Sequence, residues 1–248
     1  MHYHCEAMNR LKLALYNPTL AFRWLTKRGV ELTEIELNLI AQFMLSNGVI
    51  IEAGSSDGVD TIRLAQEFKS HRILAVEPVF EQYRWTEART SNFNNVEVYN
   101  YALSTKSGTE EIYVGRSGPG IEGMGSSSLL VPTQHKTEFP EIMFESRQQV
   151  QSLTVEDFCT QFQVKFVDLF WLDVQGLELA IIKHSKQFFE TSVNMIHMEV
   201  SRKALYEGMP LYDEILDELH VLGFYPIKKR VGRVSGNCLF QNQRFKMY

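Results

Sequence analysis

A series of short, mostly apolar runs, each about the length of a strand and separated from the next by a helical segment, limits this chain more than any other feature. The runs are Val49-Ile50-Ile51, Ile73-Leu74-Ala75-Val76, Val96-Glu97-Val98-Tyr99, Val167 to Leu172 and Val193 to Val200. Apolar residues at helical spacing fill Thr61 to Phe68, Phe80 to Thr90, Leu177 to Phe189 and Leu211 to Leu222. Strands that are apolar on both faces need cover on both faces, and the alternation with helices supplies it. The pattern therefore predicts a doubly wound α/β fold around a mostly parallel sheet. Two last extended stretches, Phe224 to Lys228 and Cys238 to Gln241, enclose Gly232 and Gly236 and predict a closing antiparallel hairpin.

Residues 1–47 read as a helical N-terminal extension. Asn17-Pro18 resembles a helix start, Thr33-x-x-Glu36 a capping box, and Asn47-Gly48 a stop. Residues 48–248 read as one domain. Within it, Gly115 to Val150 shows little periodicity and holds five of the 15 glycines. Ordinary connections have a median of about 4 to 6 residues, so this stretch is expected to be a long loop covering a site.

The 248 residues suffice for one large domain. A formal net charge of -5 opposes a nucleic-acid-binding surface, which needs a concentrated positive field. Cys5, Cys159 and Cys238 are odd in number and far apart, which excludes a disulfide framework and a CxxC metal knuckle and suits a reducing cytoplasm. No run reaches the roughly 18 to 20 apolar residues of a membrane helix, and the first residues lack the layout of a signal peptide.

The chemistry concentrates where the first run ends, in Glu52-Ala53-Gly54-Ser55-Ser56-Asp57-Gly58. A glycine-bounded turn between a strand and a helix lets a ligand approach the backbone at the helix N-terminus. A dinucleotide fingerprint needs G-x-G-x-x-G, and Ser56 stands where its middle glycine belongs, so a dehydrogenase is disfavoured. The same residues satisfy G-x-S-x-G, the nucleophile elbow of serine hydrolases, with Asp173 and then His197 or His220 in matching order. That motif also needs an oxyanion donor after an earlier strand, and the sequence before Val49 reads as helical. Glu77 ends the second run 19 residues beyond Gly58, close to the spacing of about 20 at which an acid meets a ribose. Without G-x-x-x-x-G-K-[ST] as well, the nucleoside that fits best is S-adenosylmethionine.

Several blocks in order extend this reading. They are Ile51 to Gly58, Ala75-Val76-Glu77-Pro78, Tyr101-Ala102-Leu103-Ser104, Gly125 to Leu129, Ser152 to Phe158, Leu172-Asp173-Val174-Gln175-Gly176-Leu177-Glu178 and Met198-Glu199-Val200. Together they resemble the FkbM-type methyltransferases, a class I group with a Rossmann-like fold that uses S-adenosylmethionine, mostly to methylate hydroxyl oxygens. The resemblance implies that Glu52, Gly54, Ser55 and Asp57 line the methionine end of the cofactor. It implies Glu77 on the ribose, Ala102 to Ser104 on the adenine side, and Asp173 beside the transferred methyl. The family pattern has an aspartate where Glu52 stands and a glutamate where Gln175 stands. The second change replaces a carboxylate with an amide beside the expected reaction centre.

His197 and Glu199 lie two apart on a predicted strand, hence on one face, and join Asp173 as candidate catalytic residues. His-x-Glu also begins the zinc deaminase signature, but no P-C-x-x-C follows, and no metal is expected. Lys228, Lys229, Arg230, Arg233, Arg244 and Lys246 give the C-terminus a basic cast. The expected function is transfer of a methyl group from S-adenosylmethionine to a hydroxyl of a small-molecule, glycan or lipid acceptor. Its competitors are a cofactor-binding protein without catalysis and a serine hydrolase.

Overall fold

In a computed structural model, residues 34–45, 47–117 and 126–245 are described. Most of the expected N-terminal extension lies outside them. Its described end is a short helix, α1 (Leu37–Ile40), which runs into a single 3-10 turn over Ala41–Phe43. Glu36 is the N-cap of α1 and makes no side-chain capping bond, so the helix starts later than a box beginning at Thr33 would place it.

The main sheet starts with β1 (Val49–Ala53), α2 (Val59–Glu67), β2 (Arg72–Val76), α3 (Phe80–Thr90) and β3 (Val96–Tyr99). A second sheet follows, made of β4 (Ala102–Leu103), β5 (Gly108–Ser117) and β6 (Ile142–Leu153), with the short helix α4 (His135–Glu138) between its long strands. The chain then returns to the main sheet through α5 (Val155–Gln161), β7 (Val167–Leu172), α6 (Glu178–His184), α7 (Lys186–Ser192), β8 (Val193–Ser201), α8 (Tyr212–Val221), β9 (Phe224–Val231) and β10 (Ser235–Asn242).

The main sheet has the order β3-β2-β1-β7-β8-β10-β9. Its first five strands pair in parallel, and β10 pairs antiparallel with both β8 and β9, giving the expected hairpin. Apolar side chains cover both faces. Ile50, Ile73, Leu169, Trp171 and Met195 pack with Leu64 and Ala65 of α2 and with Ile40. Ile51, Leu74, Phe170 and Ile196 pack with Phe158 of α5, Ile182 of α6, Phe189 of α7 and Leu219 of α8. Each fully buried aliphatic or aromatic side chain stabilises the fold by about 1.5 to 3 kcal/mol.

Two expectations need correction. The stretch from Gly115 to Val150 is not one long loop. β5 and β6 form an antiparallel ladder running from Gly108 opposite Ser152 to Ser117 opposite Ile142, and β4 joins β6 in parallel. Few residues of β6 are buried, and Glu145 to Gln149 are polar at successive positions, so the strand carries almost no apolar alternation. The helix expected from Leu177 to Phe189 is two helices that meet at Ser185, where φ is -98° and ψ 31°. The Ser185 hydroxyl donates to Glu156 Oε2 at 2.6 Å, which ties the break to α5.

The strand run also hides a buried acid. Asp168 in β7 is fully buried and accepts from Leu45 N at 2.7 Å and Asn194 Nδ2 at 2.8 Å, with His71 Nε2 at 3.0 Å. This cluster sits at the start of β7, at the opposite end of the sheet from the site described below.

Candidate active site at the switch point of the sheet

From β1 the chain moves outward through β2 to β3, and it later resumes on the other side of β1 with β7. Open α/β sheets bind ligands at such a reversal, beyond the carboxyl ends of the strands. Here those ends are Gly54 after β1 and Asp173 after β7. The strand pairing carries past Ala53 opposite Leu172, and Asp173 N donates to Ala53 O at 3.0 Å.

Gly54 has φ +90°, and a Cβ there would lie 1.9 Å from Asp173 O, so only glycine fits. Gly54 N and Ser55 N both donate to Val76 O, which ties the turn to the end of β2. Glu77 completes it: Oε2 accepts from Ser56 N at 2.8 Å and Oε1 from Val79 N at 2.9 Å. Burial pushes the Glu77 carboxyl up to about 7, against the opposing pull of the Val79 and Ser56 amides. A carboxylate has about four acceptor positions, so Glu77 keeps one on each oxygen for a further donor.

The cleft above this turn is lined by Gly54, Ser56, Glu77, Gln82, Tyr101, Ala102, Leu103, Ile112, Ser127, Leu129, Asp173 and Gln175, among others. The space inside it, including the part open to solvent, is about 580 Å³. Its apolar wall comes from the end of β3 and from the second sheet.

On the Asp173 side, the turn Asp173-Val174-Gln175-Gly176 is held by Glu178, the first residue of α6. The Glu178 carboxylate accepts from Val174 N at 2.9 Å and from Gly176 N at 3.0 Å. Gln175 takes the left-handed φ of +55° that this tight turn requires. Its amide nitrogen donates to Asp173 Oδ1 at 2.5 Å and to Glu199 Oε2 at 3.1 Å. Its side-chain oxygen accepts from the Tyr206 hydroxyl at 2.8 Å, and its backbone oxygen from Ser128 Oγ at 2.7 Å. Asp173 and Glu199 are half-buried neighbours. Burial first, and the Glu199 charge second, hold Asp173 well above the usual carboxylate range, and burial raises Glu199 to about 7.

Of the residues expected on the cofactor, Gly54, Glu77 and Ala102 line the cleft, and so does Asp173 from the catalytic set. Four others serve the frame behind it. Glu52 is buried and accepts from Thr61 Oγ1 at 2.6 Å, and burial raises it to about 8. Ser55 is buried, with its hydroxyl 3.5 Å from Thr86 Oγ1. Asp57 accepts from Val59 N at 3.2 Å and pairs with Arg89 at 2.7 Å. Ser104 is buried, and its N–H donates to Leu153 O at 3.0 Å.

Glu199 reaches the site through Gln175, but His197 does not reach it. His197 stacks on Trp171 with ring centroids 3.6 Å apart, and both ring nitrogens are buried without a protein partner. Burial lowers it to about 3, so the neutral imidazole is a core residue on the α2 face of the sheet. The hydrolase triad is therefore not assembled. Among the described residues no histidine lines the cleft with Ser56, and His220 sits beside Tyr225 at the end of α8. Reading the sequence alone missed Tyr206, and it quoted Glu178 and the Ser126 to Ser128 segment within blocks without giving them a role. The only signal for Glu178 was its place at the end of the Leu172 to Glu178 block.

The model of the methyltransferase FkbM domain matches residues 52–226. The chain belongs to this family. As an FkbM-domain methyltransferase it takes its methyl group from S-adenosylmethionine. The chain is also 26% identical over 197 residues, 79% of its length and 80% of the relative's, to the 2-O-methyltransferase NoeI of Sinorhizobium fredii (strain NBRC 101917 / NGR234). Among solved structures, the fibrillarin/Nop5p complex matches at 13% identity with a TM-score of 0.49, covering 79% of this chain and 73% of that one. Magnesium protoporphyrin IX methyltransferase from Synechocystis PCC 6803 matches at 13% identity with a TM-score of 0.48, covering 84% and 76%.

The cleft suits this methyl donor on its own geometry. Glu77 keeps acceptor capacity for a diol, Gly54 opens the backbone to close approach, and Leu103, Ile112 and Leu129 offer an apolar wall to a flat base. No helix among the described residues is long and apolar enough to cross a membrane.

Proposed function

We propose that this methyltransferase acts on a hydroxyl oxygen of a small molecule, with a sugar, polyketide or lipid as the acceptor class. The observation that carries the reading is Asp173 on the wall of the cleft with Glu199 beside it on the neighbouring strand, half-buried acids whose surroundings make them better bases than exposed carboxylates. S-adenosylmethionine supplies an electrophilic methyl whose leaving thioether is neutral, so no acid is needed for the leaving group. In this reading Glu77 holds the ribose hydroxyls, Tyr101 to Leu103 flank the base, and the Gly54 turn holds the amino-acid end. Asp173 accepts the hydroxyl proton of the acceptor as the new carbon–oxygen bond forms, and Glu199 shares the resulting change in charge. The relative's printed activity, 2-O-methyl transfer, agrees with oxygen as the target.

The reading needs no metal, no nucleic acid and no membrane segment, and the scattered cysteines suit the cytoplasm. The test is transfer of tritium from methyl-labelled S-adenosylmethionine to a panel of free sugars, oligosaccharides and lipid-linked glycans, with and without EDTA. Label on oxygen, unaffected by EDTA and reduced about 10²- to 10⁴-fold in Asp173→Asn, supports it. Label on nitrogen or carbon, or activity lost to EDTA and restored by Mg²⁺, overturns it.

A further inference from the structure

The Gln175 side chain has three partners, and both ends of its amide are engaged. Its amide nitrogen faces two carboxylates, Asp173 Oδ1 at 2.5 Å and Glu199 Oε2 at 3.1 Å, while its oxygen faces the Tyr206 hydroxyl at 2.8 Å. Tyr206 also lies 2.9 Å from Ser126 O, so it is the two carboxylates that fix the orientation: turned end for end, the amide would set its oxygen against their oxygens. Nor is the side chain free to leave. Ser128 holds its backbone oxygen, Glu178 holds the flanking N–H groups, and Tyr206 is buried to 1% exposure.

The other groups facing the two acids offer little relief. They are Glu52 from β1, Asp60 from α2, Glu77 after β2, Glu178 from α6 and Ser235 from β10, with Tyr206 beyond the amide. None of these carries a positive charge. Ser235 relieves Glu199 alone, whereas the N–H groups of Gln175 are the donors that the two half-buried acids share.

We propose that Gln175 is a positioning residue that yokes Asp173 and Glu199 into one proton-accepting unit, with Tyr206 as the anchor that keeps its N–H groups turned toward them. This rests on the reading of Asp173 as the proton acceptor. A glutamate in this place would remove both donors and add a third acid, so the amide sets the pair's charge at working pH.

The test is a carbon-13 NMR titration of the ligand-free protein labelled at Asp and Glu side-chain carboxyls, with resonances assigned by Asp173→Asn and Glu199→Gln. It needs no acceptor. Gln175→Asn keeps an amide and tolerates the left-handed backbone, but it is one methylene too short to reach both acids. It is expected to raise the lower midpoint of the pair by about one pH unit or more, a tenfold loss of acidity. Tyr206→Phe leaves the amide but frees its oxygen, and is expected to shift the same midpoint upward by less. Midpoints within about 0.3 unit of wild type in both variants, whatever their melting temperatures, would overturn the proposal. If Gln175→Asn does not fold, an unchanged Tyr206→Phe titration overturns it alone. Undiminished methyl transfer by Asp173→Asn removes the base reading separately and leaves the titration result standing.

Discussion

A methyl group on Gly54 would lie 1.9 Å from the carbonyl oxygen of Asp173, so the two strand ends that flank the cleft are in backbone contact. The contact places the turn after β1 and the acid after β7 within one rigid frame. Neither side can shift without the other.

Gly54→Ala therefore meets two obstacles, a backbone clash and a φ of +90° that residues with a Cβ rarely adopt. The expected result is a loss of about 3 kcal/mol or more of stability, with loss of S-adenosylhomocysteine binding in whatever folds. Chemical denaturation and calorimetry read both. A stable variant that binds normally would show that the turn does not meet Asp173 in this way.

Glu178 makes a second prediction, because its carboxylate is the acceptor for Val174 N and Gly176 N. Glu178→Ala leaves two N–H groups of the turn without a partner, at about 1 to 3 kcal/mol each where they are buried. Glu178→Gln keeps one acceptor oxygen and should fall between the variant and wild type. Equal stability of the alanine and glutamine forms in urea denaturation would contradict this.

The buried acids make stability depend on pH. Glu52 is raised to about 8, and Glu77, Glu178 and Glu199 to about 7, from 4.5, in each case chiefly by burial. A carboxyl raised in the folded state holds its proton more tightly there, so its contribution is full below the unfolded value and is lost as pH rises through the folded one. His197, lowered to about 3, and His135, also lowered, act in the opposite direction, but only below about pH 6.5, where unfolded histidine is charged. The clean window is thus about pH 6.5 to 8, and the ligand-free protein should melt at a lower temperature at the top of it. Glu52→Gln keeps an oxygen for Thr61 and cannot ionise, so it should flatten this fall and melt about 3 °C or more higher than wild type at pH 8. A melting temperature that rises from pH 6.5 to 8 would contradict the assignment.

Ser56 gives a fourth prediction. Its N–H serves Glu77 and its carbonyl accepts from Thr86, so its hydroxyl is not needed for the turn. Ser56→Ala should bind S-adenosylhomocysteine within about threefold of wild type, a change below 1 kcal/mol. Wild type should also remain unlabelled by a fluorophosphonate probe. Covalent labelling at Ser56 would restore the hydrolase reading.

The parts of the fold that were legible in the sequence are the unbroken apolar runs and the helices with an apolar stripe. β7 covers Val167–Leu172, and α8, which buries Tyr212, Ile215 and Leu219, covers Tyr212–Val221, close to the expected Leu211 to Leu222. β6 was invisible because most of its residues face solvent, so polar residues fill successive positions and no alternation marks the strand. In the site, Gly54, Glu77 and Asp173 were readable because each lies at a strand end, where α/β sheets bind ligands. Tyr206 was not, since it meets Gln175 across 31 positions and nothing local marks the contact. Glu52 misled because its place at the end of β1 suggested the cofactor, whereas Thr61 of the covering helix takes its carboxylate. His197 misled for a similar reason: sharing a strand face with Glu199 does not bring it to the cleft when Trp171 stacks over it.

The most direct test of the account is a calorimetric titration of wild type and Glu77→Ala with S-adenosylhomocysteine at pH 7.5. The account predicts saturable one-to-one binding by wild type, weakened roughly 5- to 150-fold in the variant by loss of the acceptor for the ribose hydroxyls, a change of about 1 to 3 kcal/mol. Absence of binding by folded wild-type protein, or equal affinity in the two proteins, would contradict it.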